Sequence, residues 1–247
     1  MEDPLATRLG AAGLPRGWWT AYRTAGCLLG TYAAMATAAA AAMAVVVGAA
    51  AAGAGLPVAR AAQPALAAWW LLGVGHAAYL RLCRAVSRRI GLGVAVLVPE
   101  PVALTRWLHR RRGLPAPGAR WAFSVHVDPT WPAPRGLSPE AAARRFGEAY
   151  RADYDRILGR LAGLDALVAS STFNRHDSLW TERALREGWG WQVAGPLFAV
   201  QPLGHRPAVR CRAQRRMFGG VVTGRRVDRR EAWRTRLFAC AGAAPGA

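Results

Sequence analysis

Residues 61–80 read AAQPALAAWWLLGVGHAAYL, twenty positions between Arg60 and Arg81 without one charged side chain. The interval between Arg23 and Arg60 is longer and equally uncharged. A bilayer's hydrocarbon core takes about 20 apolar helical residues to cross. Each interval is long enough for one crossing, and in lipid only a helix satisfies its own backbone. The fold class expected is a two-span α-helical membrane hairpin, spans about 27–52 and 65–82, followed by a cytoplasmic α/β domain with a mostly parallel sheet. The first span is carried by alanine (Ala38 to Ala42 without a break) with Leu28, Leu29, Met35 and Val45 to Val47. The second has Trp69, Trp70, Leu71, Leu72 and Val74.

Arginine sets the orientation. Arg8, Arg16 and Arg23 precede the first span, and Arg81, Arg84, Arg88 and Arg89 follow the second; Arg60 alone lies between them. Basic flanks stay inside, so both termini are expected in the cytoplasm and the chain in the inner (plasma) membrane. Trp18, Trp19 and Tyr22 read as an interfacial belt. Gly26 and Gly30, four apart, read as a close helix–helix contact that would let spans self-associate into a homo-oligomer. A cleaved signal peptide is disfavoured, because the first apolar stretch exceeds the usual length of about 7–15 residues. The segments expected are 1–25 cytoplasmic, 26–90 hairpin, 91–240 α/β domain and 241–247 disordered tail.

All 33 basic residues are arginine, and the formal net charge is +19. The absence of lysine excludes a Walker A phosphate loop, a kinase-type lysine and Schiff-base chemistry. Arg106 to Arg112, Arg206 to Arg216 and Arg225 to Arg230 cluster the charge, which fits anionic lipid headgroups. Nucleic acid is disfavoured, since no helix-turn-helix, zinc-finger or RNA-binding aromatic pattern accompanies it. Cys27, Cys83, Cys211 and Cys240 are too scattered for a CxxC site.

From Gly91 onward, strand and helix signals alternate. Val94 to Val98 and Trp121 to Val127 read as strands. Pro101 opens a helix to Arg112. Ser138 as N-cap, Pro139 at the first helical position and Phe146, Tyr150, Tyr154, Ile157 and Leu161 at steps of three and four predict a helix to about Ala162. Ala166 to Ser171 and Trp189 to Ala194 read as further strands, Asp177 or Ser178 as the cap of a short helix, Leu197 to Val200 and Gly220 to Thr223 as additional strands, and Asp228 as the cap of a last helix through Trp233, Leu237 and Phe238. Alternation argues for a parallel sheet wrapped by helices, whose ligand binds beyond the strands' C-terminal ends.

Those ends carry Glu100, His126, Asp128, Ser170, Ser171, Thr172, Asn174, Arg175, His176 and Asp177. The run from Ser170 to His176 gathers hydroxyls, an amide, a guanidinium and an imidazole ahead of a helix start, a composition suited to an anion. Ser170, Ser171, Thr172, Asn174, Arg175 and Glu100 are therefore the expected ligand-binding residues for a small anionic or nucleotide-like ligand, with the hairpin as anchor. His126, Asp128, His176 and Asp177 are the expected catalytic set for a membrane-tethered metal-assisted hydrolase, being ligand types that suit a divalent cation; no HExxH or CxxC spacing defines a resident metal site, and no cofactor is specified. A third reading is a non-enzymatic subunit of a membrane assembly. His76 is expected to make a helix contact; His109 and His205, among arginines, are expected at the surface.

Overall fold

The computed structural model describes residues 3–30, 43–44, 46, 48–50, 58–111, 113, 118–128, 131, 136–162, 164–172, 183, 186–187, 191–194 and 235–240. Its elements are α1 (Pro4–Leu9), α2 (Arg16–Leu29), α3 (Val58–Arg89), β1 (Ala95–Pro99), α4 (Val102–Arg110), β2 (Trp121–Val127), α5 (Pro139–Leu161), β3 (Ala166–Thr172), β4 (Gln192–Ala194) and β5 (Thr235–Cys240). The sheet order is β1-β2-β3-β5-β4.

The membrane hairpin is overturned. No helix among the described residues is long and apolar enough to cross a membrane. α3 is 32 residues long, so length is not the obstacle. Trp69, Trp70, Gly73, Gly75, His76, Tyr79 and Arg81 dilute its leucine and valine, and an uncharged stretch of this kind lacks the transfer free energy of a leucine-rich one. Its C-terminal half is also committed to protein. Tyr79, Cys83, Val86 and Ile90 are buried in the core, and Tyr79 donates to the Tyr22 carbonyl at 2.8 Å. Cys27 to Gly30 of the first predicted span close α2, and much of the remainder falls outside the described residues. The integral-membrane function, the multi-pass inner-membrane placement and the anchoring role of the hairpin go with the spans. Trp19 and Tyr22, read as an interfacial belt, are instead core residues.

The sheet is mixed rather than mostly parallel. β2 and β3 are parallel, as the 23-residue helix α5 between them requires of a crossover. β1 is antiparallel to β2, and β5 is antiparallel to both β3 and β4. The last predicted helix is replaced by β5, which completes the far side of β3. The side chains of β2 and β3 alternate between two layers, as a strand's period of two dictates. Ala122, Leu167 and Ala169 meet Val102, Leu104 and Leu108 of α4. Phe123, Val125 and Val168 join Tyr154, Ile157, Leu158 and Leu161 of α5 in the main core. Ser138 caps α5 as expected, accepting from the Ala141 N–H at 3.3 Å.

β1 is an edge strand, and its outward backbone groups find side-chain partners. Asp153 of α5 accepts from the Gly93 N–H, the Val94 N–H at 2.6 Å and the Ala95 N–H at 2.8 Å. Ser87 of α3 accepts from the Leu97 N–H at 3.0 Å, and Tyr22 of α2 donates to the Leu97 carbonyl at 3.0 Å. Pro99, next on that side, has no N–H to satisfy. Gly26 and Gly30 serve this edge and do not mark a span–span contact. A Cβ on Gly26 would stand 2.8 Å from the Pro99 carbonyl oxygen and from the Tyr79 hydroxyl, and one on Gly30 2.9 Å from that same carbonyl. Asp153 is buried by its contact with the start of β1.

Replacing Asp153 with alanine strands two buried N–H groups, those of Val94 and Ala95, each costing about 1–3 kcal/mol when unpaired, and frees the part-buried one of Gly93. Asp153→Ala is expected to lose about 3 kcal/mol or more in urea unfolding; an unchanged midpoint would show the edge satisfied another way.

Candidate functional site at the edge of the sheet

Because β2 and β3 are parallel neighbours, His126 and Asp128 leave the sheet at the same edge as Ser171 and Thr172. β5 enters there: Arg236 is opposite Ser171, and Thr235 is opposite Thr172. The reversed direction of β1 sends Glu100 to the opposite end, beside Ala122, whose carbonyl accepts from the Glu100 N–H at 2.9 Å. The single row of strand ends expected from an all-parallel sheet is thus split in two.

A side-chain chain spans the two ends. Ser124 Oγ donates to Glu100 Oε1 at 2.5 Å, and His126 Nε2 lies 2.9 Å from that same Oγ. A hydroxyl has one proton, so with Ser124 donating to the carboxylate, Nε2–H of His126 donates to Ser124. Glu100 and Ser124 are buried, and His126 is half-buried. The order is carboxylate, hydroxyl, imidazole. A nucleophilic triad places the imidazole in the centre, so this arrangement is a proton-sharing chain rather than an activated serine. Ser124 escaped the sequence reading, although its place two residues before His126 in a strand puts both on one face.

Asp128 is buried and held by two guanidinium groups of α3. Arg88 Nη2 lies 2.9 Å from Oδ2, and Arg84 Nε lies 3.6 Å from Oδ1. Its own N–H donates to the Val94 carbonyl at 2.7 Å. Two cations on one carboxylate leave the end of β2 locally positive. Arg84 and Arg88 were expected to flank a membrane span; the structure turns them towards the sheet. Ser170 is buried and hydrogen-bonded to the Tyr154 hydroxyl. Ser171 and Thr172 are placed by strand register alone. Asn174, Arg175, His176 and Asp177, and with them the short helix after Asp177, lie outside or largely outside the described residues, as do His205, Leu197 to Val200, Gly220 to Thr223 and the 241–247 tail. Among the described residues no three His, Cys, Asp or Glu side chains come close enough to hold a metal ion.

His76 makes the expected helix contact, its Nδ1 lying 2.8 Å from the Leu29 carbonyl. His109 is not at the surface: it is fully buried, with Nδ1 at 2.8 Å from the Thr105 carbonyl one turn earlier. A concavity of about 710 Å3 lies between α1 and α2 and is lined by Asp3, Arg16, Trp19 and Arg23, among others. Burial alone would raise the Asp3 carboxyl, but hydrogen bonds from Trp19 and the Leu5 N–H and the charge of Arg23 outweigh it and hold the carboxyl below its ordinary range.

No protein-family model matches this chain, and neither a curated protein nor a solved structure matches it. The functional reading therefore rests on the residues above.

Burial pushes the Cys83 thiol up to about 12 from an ordinary 9.0, with the neighbouring Glu100 adding to the effect. Burial, with the nearby Cys83, also raises the Tyr79 and Tyr22 phenols. A folded pKa above the unfolded one contributes stability that is complete below the unfolded value and lost as pH rises. The urea midpoint is expected to fall between pH 9 and 12, where the unfolded chain ionises these groups and the folded chain does not. A flat midpoint across that window would contradict their burial.

Proposed function

We propose that this protein binds a small anionic ligand at the edge where β2 and β3 end side by side. The observation that carries the reading is the parallel β2–β3 pair with Arg84 and Arg88 gathered on Asp128 at its C-terminal end. Ligands of open α/β sheets favour that edge, and guanidinium groups held in place by a carboxylate bring fixed positive charge to it, which suits phosphate or carboxylate. His126 adds a half-buried imidazole at the same end, and Arg236 enters opposite Ser171. Ser171 and Thr172 end β3 at this edge, which supports their assignment as ligand-binding residues. The reading involves no membrane span and no catalytic step.

Isothermal titration of the full chain with inorganic phosphate and with nucleoside phosphates tests it. Saturable binding is expected, weakened about tenfold by Arg88→Ala, the worth of one charge-assisted pair, and largely kept by Arg88→Lys, which retains the charge. Absence of heat with every anion, or equal affinity in Arg88→Ala with an unchanged circular dichroism spectrum, would overturn it.

A further inference from the structure

α2 and α3 pack against β1 and against each other. The contacts between the helices run antiparallel from Tyr79 against Tyr22 to His76 against Leu29. The Leu29 side chain approaches the position of a Gly75 Cβ at 3.3 Å. The described part of α2 stops at Gly30, yet α3 begins far upstream of His76. The turns of α3 just before His76 thus lie beyond the described contacts with α2. They carry large apolar side chains in solvent: Trp70 is 67 % exposed, Leu71 65 % and Val74 49 %, with Leu28 of α2 72 % exposed. Soluble surfaces seldom gather apolar groups of this size without a partner.

Charge selects the partner. At 100° per residue, Trp70, Val74 and Arg81 fall within about 40° of one another on α3, with Arg81 about 16 Å along the axis from Trp70. One face of the helix thus passes from indole and valine to exposed arginine. Tryptophan and valine with an arginine on one helix face suit an acyl–headgroup boundary, where a long basic side chain reaches back to phosphates. A second copy of the chain is a poorer fit, since each copy carries a net charge of +19 and association would bring like charges together.

We propose that the exposed apolar side chains of α3 at Trp70, Leu71 and Val74, with Leu28 of α2, dock onto a lipid surface bearing anionic headgroups. The helix lies in the interfacial layer and does not cross it. Trp70, Leu71, Val74 and Leu28 enter the acyl boundary, while Arg81 pairs with headgroup phosphates. The site is separate from the sheet edge, and either can fail without the other.

Co-sedimentation of the full chain with vesicles tests the proposal, using phosphatidylcholine alone and phosphatidylcholine mixed with phosphatidylglycerol. Binding is expected to the mixed vesicles and to weaken as salt is raised. Arg81→Ala is expected to lose about fivefold, the value of one basic residue near an anionic surface. Trp70→Ala is expected to lose about tenfold through apolar area alone. Both side chains are exposed, so both variants should unfold at the wild-type midpoint. Equal binding to both vesicle types, or variants that bind as wild type does, would overturn the proposal. So would a dimer that Trp70→Ala dissociates in the absence of vesicle binding, which would assign the face to a second copy. Resistance of the bound chain to alkaline carbonate would also overturn it, because that marks a crossing.

Discussion

An edge strand whose backbone faces outward needs partners, and β1 obtains them from three helices. Ala95, Leu97 and Pro99 share the outward side. The Ala95 N–H goes to Asp153, the Leu97 N–H to Ser87, the Leu97 carbonyl to Tyr22, and Pro99 has no N–H. Unpaired buried backbone groups are rare because each costs the desolvation of a strong dipole. Covering this edge explains why α2 lies close enough that Gly26 and Gly30 have no room for a Cβ, why Tyr22 and Tyr79 are buried, and why α5 spends a buried carboxylate on the start of a strand. The same docking carries Arg84 and Arg88 to Asp128. The positive end of β2 is thus a consequence of how the helices close β1.

The α/β part was legible in the sequence wherever local chemistry and period agreed. β2 has the predicted bounds, and α5 starts on its predicted cap and packs the predicted stripe. β1 and β3 sit within a residue or two of their expected positions. Strand direction was not legible, because pairing is decided between segments distant in the chain; alternation of strand and helix does not fix whether β1 runs with or against β2. β5 was misread as a helix for a related reason. Thr235 to Cys240 has no strong period of its own, and its conformation is set by the open side of β3.

The uncharged N-terminal third misled more deeply. Absence of charge suggests a lipid environment, but charge-free is not the same as apolar. Alanine, glycine, tryptophan, histidine and tyrosine keep α3 short of the hydrophobicity needed for crossing. Gly26 and Gly30 illustrate the ambiguity: glycines four apart on a helix permit close approach of any backbone, and here that backbone is a strand. At the site, the polar residues of β2 were visible, but Ser124 gained its meaning only from Glu100, which antiparallel pairing brings across from β1. Asp128 stood out as a candidate ligand for a cation; the two α3 arginines that hold it could not be placed beside it while α3 was assigned to lipid.

Native-state hydrogen exchange at the Leu97 amide probes the closed edge directly. If α3 satisfies β1 through Ser87, the Leu97 N–H exchanges slowly, and Ser87→Ala speeds it by about tenfold or more, the worth of one hydrogen bond, while the Phe123 and Val125 amides of central β2 keep their protection. Fast exchange at Leu97 in the wild-type chain, or no change in Ser87→Ala, would mean that the helices do not close the sheet and that the account built on them is wrong.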